Sequence, residues 1–165
     1  MVGTVKYFHS EGKIPKGCNA SFIMLIPNSE NPQSLDEYRP ISLVGCLYKT
    51  LAKMLSRRIK KVFEKVINVS QSAFLSNRGL LESVLVVIKV MDELKRKRRT
   101  WVVVKLDFEK AHDSVDWEFL FYMLGILGFW EKWIQWIRVC LESATISVLV
   151  NDSPTKEFKP SIGLR

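Results

Sequence analysis

The run Val102-Val103-Val104-Lys105-Leu106-Asp107-Phe108-Glu109-Lys110-Ala111-His112-Asp113-Ser114-Val115-Asp116-Trp117 gathers four carboxylates directly after an apolar segment. Carboxylate oxygens are hard ligands suited to Mg²⁺, which usually takes one or two protein carboxylates and leaves its other positions to water and substrate phosphates. The chemistry such a pattern serves is metal-dependent phosphoryl transfer. Val102 to Leu106 is rich in β-branched residues and reads as a buried strand, so Asp107 stands at a strand's carboxyl end. Asp116 occupies the place of an N-cap for a following helix; Asp113 and Asp116 read first as groups that cap or brace the turn and second as metal ligands. Taken alone, Asp107 also fits a strand-end hydrogen-bond acceptor, and His112 an ordinary half-buried histidine. One strand supplies only half of such a site.

The elements around this turn alternate in period. Ala20 to Pro27 forms a strand stopped by Pro27, and Asn28 to Asp36 is a loop rich in Asn, Ser and Pro. Leu47, Leu51, Met54, Leu55, Ile59, Val62, Phe63 and Val66 recur at helical steps, leaving Lys49, Lys53, Arg57, Lys60, Lys61 and Lys65 mainly on the other side. A second amphipathic pattern, Leu80, Leu81, Val84, Leu85, Ile88, Met91 and Leu94, ends in Lys95-Arg96-Lys97-Arg98-Arg99. That basic run reads first as helix termination, since cations favour the negative end of the helix dipole, and second as a nuclear localisation patch. Residues 119 to 127 and 130 to 141 form two further helices separated near Gly128, and Thr145 to Val150 another strand. The fold class is α+β, with helices packed on a small sheet. Trp101, Trp117, Trp130, Trp133 and Trp136 are expected to pack against those helices.

The 165 residues carry a formal charge of +8, unevenly placed. Residues 1–100 hold 18 Lys and Arg against 8 acids, net +10, and residues 101–165 hold 7 against 9, net −2. A basic surface beside an acidic site suits a polyanionic partner, and a solvated basic face is an equal alternative. Cys18, Cys46 and Cys140 are odd in number and in no metal-ligand spacing, which points to reduced thiols and an intracellular setting, nuclear or cytoplasmic. The longest apolar stretch, Phe121 to Trp130, is about half of the roughly 20 residues a spanning helix needs, so no membrane partner is expected.

Five collinear blocks resemble the reverse transcriptase domain of LINE-type non-LTR retrotransposons, especially those of plants, over nearly the whole chain. Asn19 with Phe22-Ile23-Met24-Leu25-Ile26-Pro27 is similar to the family's first strand. Tyr38-Arg39-Pro40-Ile41-Ser42-Leu43 followed by Tyr48-Lys49 resembles its most recognisable fingers motif, and Gln71-Ser72-Ala73-Phe74 with Arg78 the next block. Leu106 to Ala111 through Asp113 to Trp117 is similar to the first catalytic motif, and Gly163-Leu164-Arg165 to the opening of the one that follows.

The resemblance implies a partial right-hand polymerase fold, with residues 1–100 as fingers and 101–165 as the beginning of the palm. It implies Mg²⁺ as cofactor, with RNA template, DNA primer and deoxynucleoside triphosphate as partners. Asp107 would be the first catalytic carboxylate and a ligand to both metal ions, with Phe108 contributing its backbone to the metal site. Arg39 would hold the incoming triphosphate through the planar fork of its guanidinium. Lys110 and Ala111 would offer backbone N–H groups to the same phosphates, and His112 would lie under the sugar. In the two-metal scheme the ions sit about 3.5–4 Å apart, one activating the primer 3′-hydroxyl and the other steadying the leaving pyrophosphate.

The chain departs from the family pattern at several places. Asn28 stands where a Lys is usual, Asn77-Arg78 replaces Gly-Arg, and His112 replaces Tyr or Phe. Asp152 follows Asn151 where Asn-Gly is favoured, and Ile162 occupies a position that is often Arg. The family's second carboxylate source is an Ala-Asp-Asp hairpin, and residues 1–165 contain no Ala-Asp-Asp. The expectation is therefore an inactive fragment of an RNA-directed DNA polymerase. The alternatives are a non-catalytic nucleic-acid-binding remnant and an unstable gene-model product with no role.

Overall fold

A computed structural model describes residues 2–75, 78–98, 100–108 and 110–164. The readings placed on Asn77, Arg99, Glu109 and Arg165 lie outside the described residues. In chain order the elements are α1 (Val2–Glu11), β1 (Ala20–Pro27), β2 (Tyr38–Val44), α2 (Cys46–Val66), α3 (Leu80–Arg96), α4 (Trp117–Ile126), α5 (Glu131–Glu142), β3 (Thr145–Val150) and β4 (Ser153–Pro154). The α+β class holds among these residues. They form two compact units, Met1–Met54 with Lys110–Arg165, and Leu55–Glu109.

The first unit is built on a sheet of order β2-β1-β3-β4. β1 runs antiparallel to β2, with Ile23 opposite Ser42, and parallel to β3, with Ile23 opposite Val148. β2 escaped the sequence reading because Pro40 interrupts it. A proline lacks the N–H a central strand must donate and is tolerated at an edge, which is where β2 lies. The loop between β1 and β2 is drawn together by Glu37, whose carboxylate accepts from Ser29 Oγ at 3.0 Å and Gln33 N at 3.2 Å. The alternation along β1 leaves Phe22, Met24 and Ile26 exposed beside Leu43 and Ile41 of β2.

Phe121, Leu124, Ile134, Cys140, Ala144 and Ile146 are buried, which places the core of this unit on α4, α5 and β3. α1 joins it through Phe8, fully buried, whose ring lies 5.8 Å from that of Trp136. Trp136 and Trp133 meet edge to face at 5.9 Å. Trp130 does not pack as expected: at the N-cap of α5 it is 80 % exposed, since a cap residue points away from the helix face that meets the core. Asn19 ties the entry of β1 to the end of α5. Its buried amide donates to Cys140 O at 2.9 Å and Ser143 Oγ at 2.8 Å.

β3 and β4 are joined by a two-residue turn with Asn151 at φ 49° and Asp152 at φ 61°. Both central residues of such a turn are left-handed, a conformation that L side chains resist and glycine does not.

In the second unit, Arg78 closes the end of α2. Its guanidinium donates to Ile67 O at 3.0 Å, to Gln71 O at 2.6 Å and to Asn68 O. These are carbonyls at and beyond the helix terminus, where the dipole is negative and the last carbonyls lack helical partners. At the end of α3, Glu93 pairs with Lys97 at 2.9 Å and Arg96 at 2.6 Å. Lys97 first, and Arg96 second, hold the Glu93 carboxyl below its ordinary range. The basic run thus closes the helix, as its first reading expected. The apolar stripe of α3 buries no residue among those described.

Val102 to Leu106 is not a strand. The segment has no strand hydrogen bonding, and Val102, Val104 and Leu106 are more than 70 % exposed. β-branched composition suits a pleated surface, but the ladder and the burial that fix a strand come from neighbours, and no described strand pairs with this one.

Two outcomes are expected of unfolding measurements on this chain. Asn19→Ala is expected to lower stability by about 2 kcal/mol, because it strips one buried and one half-buried acceptor of their donor. Asp152→Gly is expected to raise it by up to ~1 kcal/mol by relieving the left-handed turn.

Candidate nucleotide and metal site

The turn that follows Asp107 is locally self-sufficient. Lys110 adopts φ 50°, and its carbonyl accepts from Asp113 N at 2.9 Å, Ser114 N at 3.1 Å and Ser114 Oγ at 3.1 Å. This closes the chain on itself within four residues. The backbone N–H groups of Lys110, Ala111 and His112 find no acceptor among the described residues, and all three residues are exposed. Consecutive free N–H groups around a left-handed residue form a concavity with partial positive charge, the arrangement that receives anionic oxygens.

The far side of the turn is anchored. The Asp116 carboxylate accepts from Phe119 N at 2.7 Å and so caps α4, as its place in the sequence indicates. The next residue, Trp117, turns its ring to the 160s and donates from Nε1 to Gly163 O at 2.8 Å. Gly163 N in turn donates to Val115 O at 2.8 Å, and Leu164 N to His112 O at 2.7 Å. Gly163 has φ 83°, and a Cβ built on it would lie 2.7 Å from Asp113 O. Only glycine lets the two backbones approach so closely. A cleft of about 280 Å³ lies beside this junction, lined by Asp113, Trp117, Leu164, Pro40 and Ser42 among others.

The other expected site residues are distributed as follows. Asp107 and Phe108 belong to the second unit and are exposed, Phe108 at 80 %. Arg39, on β2 opposite Ile26, is exposed and belongs to the first unit. Strand alternation sends Arg39 to the sheet face opposite Pro40 and Ser42, and those two line the cleft beside Asp113. The structure therefore brings Lys110, Ala111 and His112 together with Gly163 and Leu164, and leaves Arg39 on a different face from Asp113. Sequence reasoning marked Gly163 and Trp117 separately. Nothing in their spacing of 46 residues signals the hydrogen bond between them.

For a divalent ion, Asp107 and the Phe108 carbonyl are hard oxygen donors of the right chemistry. The described residues hold no group of three or more His, Cys, Asp or Glu side chains able to bind a metal ion. Asp107 and the Phe108 carbonyl would by themselves supply only part of such an ion's coordination sphere. The described residues also contain no helix long and apolar enough to cross a membrane.

Comparison with known proteins decides the family. Residues 26–165 match the model of the family described as reverse transcriptase (RNA-dependent DNA polymerase). The chain belongs to the reverse transcriptase family. It is 28 % identical over 155 residues to the transposon TX1 uncharacterized 149 kDa protein of Xenopus laevis, an alignment covering 94 % of this chain and 12 % of that protein. It is 26 % identical over 139 residues to the retrovirus-related Pol polyprotein from the type-1 retrotransposable element R2 of Popillia japonica, covering 84 % of this chain and 19 % of the relative. A retrotransposable-element Pol polyprotein of Drosophila melanogaster is 21 % identical over 154 residues, covering 93 % and 14 %. These relatives are transposon and retrotransposable-element proteins from animals, and this reverse transcriptase-family chain spans less than a fifth of the length of each. All five motif-derived site residues, Arg39, Asp107, Lys110, Ala111 and His112, fall within the matched range, as does Phe108.

The cap at Asp116 gives a direct check. Asp116→Ala is expected to cost about 1 kcal/mol and to speed amide exchange in the first turn of α4, where Asp116→Asn, which keeps an acceptor oxygen, costs less.

Proposed function

We propose that this chain forms the nucleotide-receiving part of an RNA-directed DNA polymerase encoded by a non-LTR retrotransposon. In this reading Ala111 and His112, with Lys110, meet the triphosphate of the incoming deoxynucleotide through their backbone N–H groups. The observation that carries it is the turn that leaves those groups without acceptors inside a segment matched by the reverse transcriptase family. His112 lies under the sugar, and Arg39 takes a phosphate through its guanidinium; its phosphate role rests on the resemblance of Tyr38-Arg39-Pro40-Ile41-Ser42-Leu43 alone.

Asp107 is the first catalytic carboxylate and, with the Phe108 carbonyl, a contributor of oxygens to Mg²⁺. When bound, that ion supplies Lewis-acid stabilisation of phosphoryl oxygens. Residues 1–100 take the fingers role and residues 101–165 begin the palm. The partners are an RNA template, a DNA primer and a deoxynucleoside triphosphate. The element is LINE-type and of the plant kind, a reading that rests on the resemblance of the five collinear blocks alone. The setting is intracellular, a reading that rests on the odd number and wide spacing of Cys18, Cys46 and Cys140 in the sequence.

Residues 1–165 contain one of the two carboxylate sources that a two-metal site requires, so this polypeptide by itself is expected not to extend a primer. Primer extension on an RNA template with Mg²⁺ or Mn²⁺ checks this; synthesis that Asp107→Asn abolishes would contradict it. Binding of Mg-dATP is the positive test. Pyrophosphate should compete with it, deoxyadenosine should bind far more weakly, and Arg39→Ala should weaken the triphosphate roughly tenfold, as the loss of a charge-assisted hydrogen bond does.

A second reading, nucleic-acid binding without catalysis, draws on the cations of α2. Lys49, Lys53, Arg57, Lys60, Lys61 and Lys65 are all exposed. It calls for RNA affinity that falls steeply with salt and is indifferent to Asp107→Asn.

A further inference from the structure

Between the acidic turn and the 160s segment lie four independent constraints. Trp117 Nε1 donates to Gly163 O at 2.8 Å, Gly163 N to Val115 O at 2.8 Å, and Leu164 N to His112 O at 2.7 Å. Gly163 is also packed so closely on the Asp113 carbonyl that no Cβ fits. One of these bonds ends on the carbonyl of His112, the residue whose own N–H stands free for an anion. A peptide plane is rigid, so fixing the carbonyl of a residue restricts the orientation of the peptide group beyond it and the dihedral freedom of the residue itself.

We infer that Trp117 and Gly163 form a latch that holds the Lys110–Val115 turn in its anion-receiving shape, making both of them positioning residues for the nucleotide triphosphate. The inference rests on the triphosphate assignment above. It adds that the affinity of the turn is set from a segment about fifty residues away, across a hydrogen bond that no spacing within the acidic motif would disclose. Trp117 serves here through its N–H and not only its ring. The indole is half-buried at the start of α4, and Asp116 beside it keeps the cap when the N–H is removed. The latch lies wholly within the first unit, so its operation does not depend on Asp107.

Preorganisation of this kind has a measurable consequence. A turn already held in shape loses little conformational entropy when an anion arrives, whereas a released turn must be ordered by the ligand. The latch should therefore affect the phosphate end of the ligand and leave the affinity for deoxyadenosine nearly unchanged.

The experiment compares the full chain with Trp117→Phe, which keeps an aromatic ring and deletes the donor, and with Gly163→Ala, which forces the Asp113 carbonyl away. Mg-dATP and deoxyadenosine are titrated separately, and the thermal midpoint is recorded for each protein. Trp117→Phe is expected to weaken Mg-dATP roughly fivefold, the scale of one neutral hydrogen bond, without moving deoxyadenosine affinity, and to lower the midpoint by no more than the few degrees that one lost hydrogen bond costs. Gly163→Ala is expected to weaken Mg-dATP more. Binding of Mg-dATP by either folded variant as tightly as by the unaltered chain overturns the latch while leaving the triphosphate assignment standing. Failure of the unaltered chain to bind Mg-dATP overturns that assignment, and the positioning role falls with it. Amide exchange on the unaltered protein gives a measure that needs no variant. Mg-dATP should slow exchange at Gly163 and Leu164 together with Ala111 and His112, and slowing confined to Ala111 and His112 counts against the latch.

Discussion

β1 is hydrogen-bonded on both sides, antiparallel to β2 and parallel to β3, and the first unit is organised by that double pairing. A strand is stable when its neighbours complete its ladder and cover one of its faces. β1 has both, and it brings a segment from the chain's beginning against one from near residue 150. Asn19 adds a buried polar anchor at the point where β1 meets the end of α5. The same physical rule accounts for Val102 to Leu106, whose composition is as strand-like as that of β1 but which has no described neighbour. Its apolar side chains remain exposed because nothing pairs with the backbone that carries them.

That contrast bears on the chemistry. The acidic motif has two parts with different structural support. Its first part, Asp107 and Phe108, stands in the second unit at the end of an unpaired segment. Its second part, Lys110 to Trp117, is closed by its own turn, capped onto α4 by Asp116 and latched to Gly163. The residues read as phosphate ligands are thus held by local and tertiary bonds, whereas the residue read as the metal ligand is not held by a sheet. Under the function proposed above, such a partial site would meet a triphosphate while lacking the convergence of carboxylates that nucleotidyl transfer demands.

Much of this was legible in the residues. Period and stop signals marked β1, α2, α3 and β3 within a residue or two, because each carries a regular apolar pattern bounded by Pro, Gly or charge. The N-cap at Asp116 followed from side-chain chemistry, and the strained Asn151-Asp152 turn from the resemblance, where Asn-Gly is favoured; the φ values of 49° and 61° agree with the latter. β2 was hidden by Pro40, whose cost depends on edge placement, a property of the sheet and not of the segment. Val102 to Leu106 misled for the converse reason: periodicity records what a segment could bury, and pairing decides whether it does. The Arg78 closure of α2 and the Trp117–Gly163 bond belong to the same class of hidden features, since both join residues with no shared period. In each, a side chain satisfies backbone groups that lie elsewhere along the chain.

Whether the turn after Asp107 receives phosphate through its own backbone is tested most directly by the amide chemical shifts of the ¹⁵N-labelled chain, followed as Mg-dATP is added at constant ionic strength. The earliest and largest changes are expected at Ala111 and His112, reproduced by pyrophosphate and absent with deoxyadenosine. Changes confined to the cations of α2, with Ala111 and His112 unmoved at saturation, would contradict this expectation.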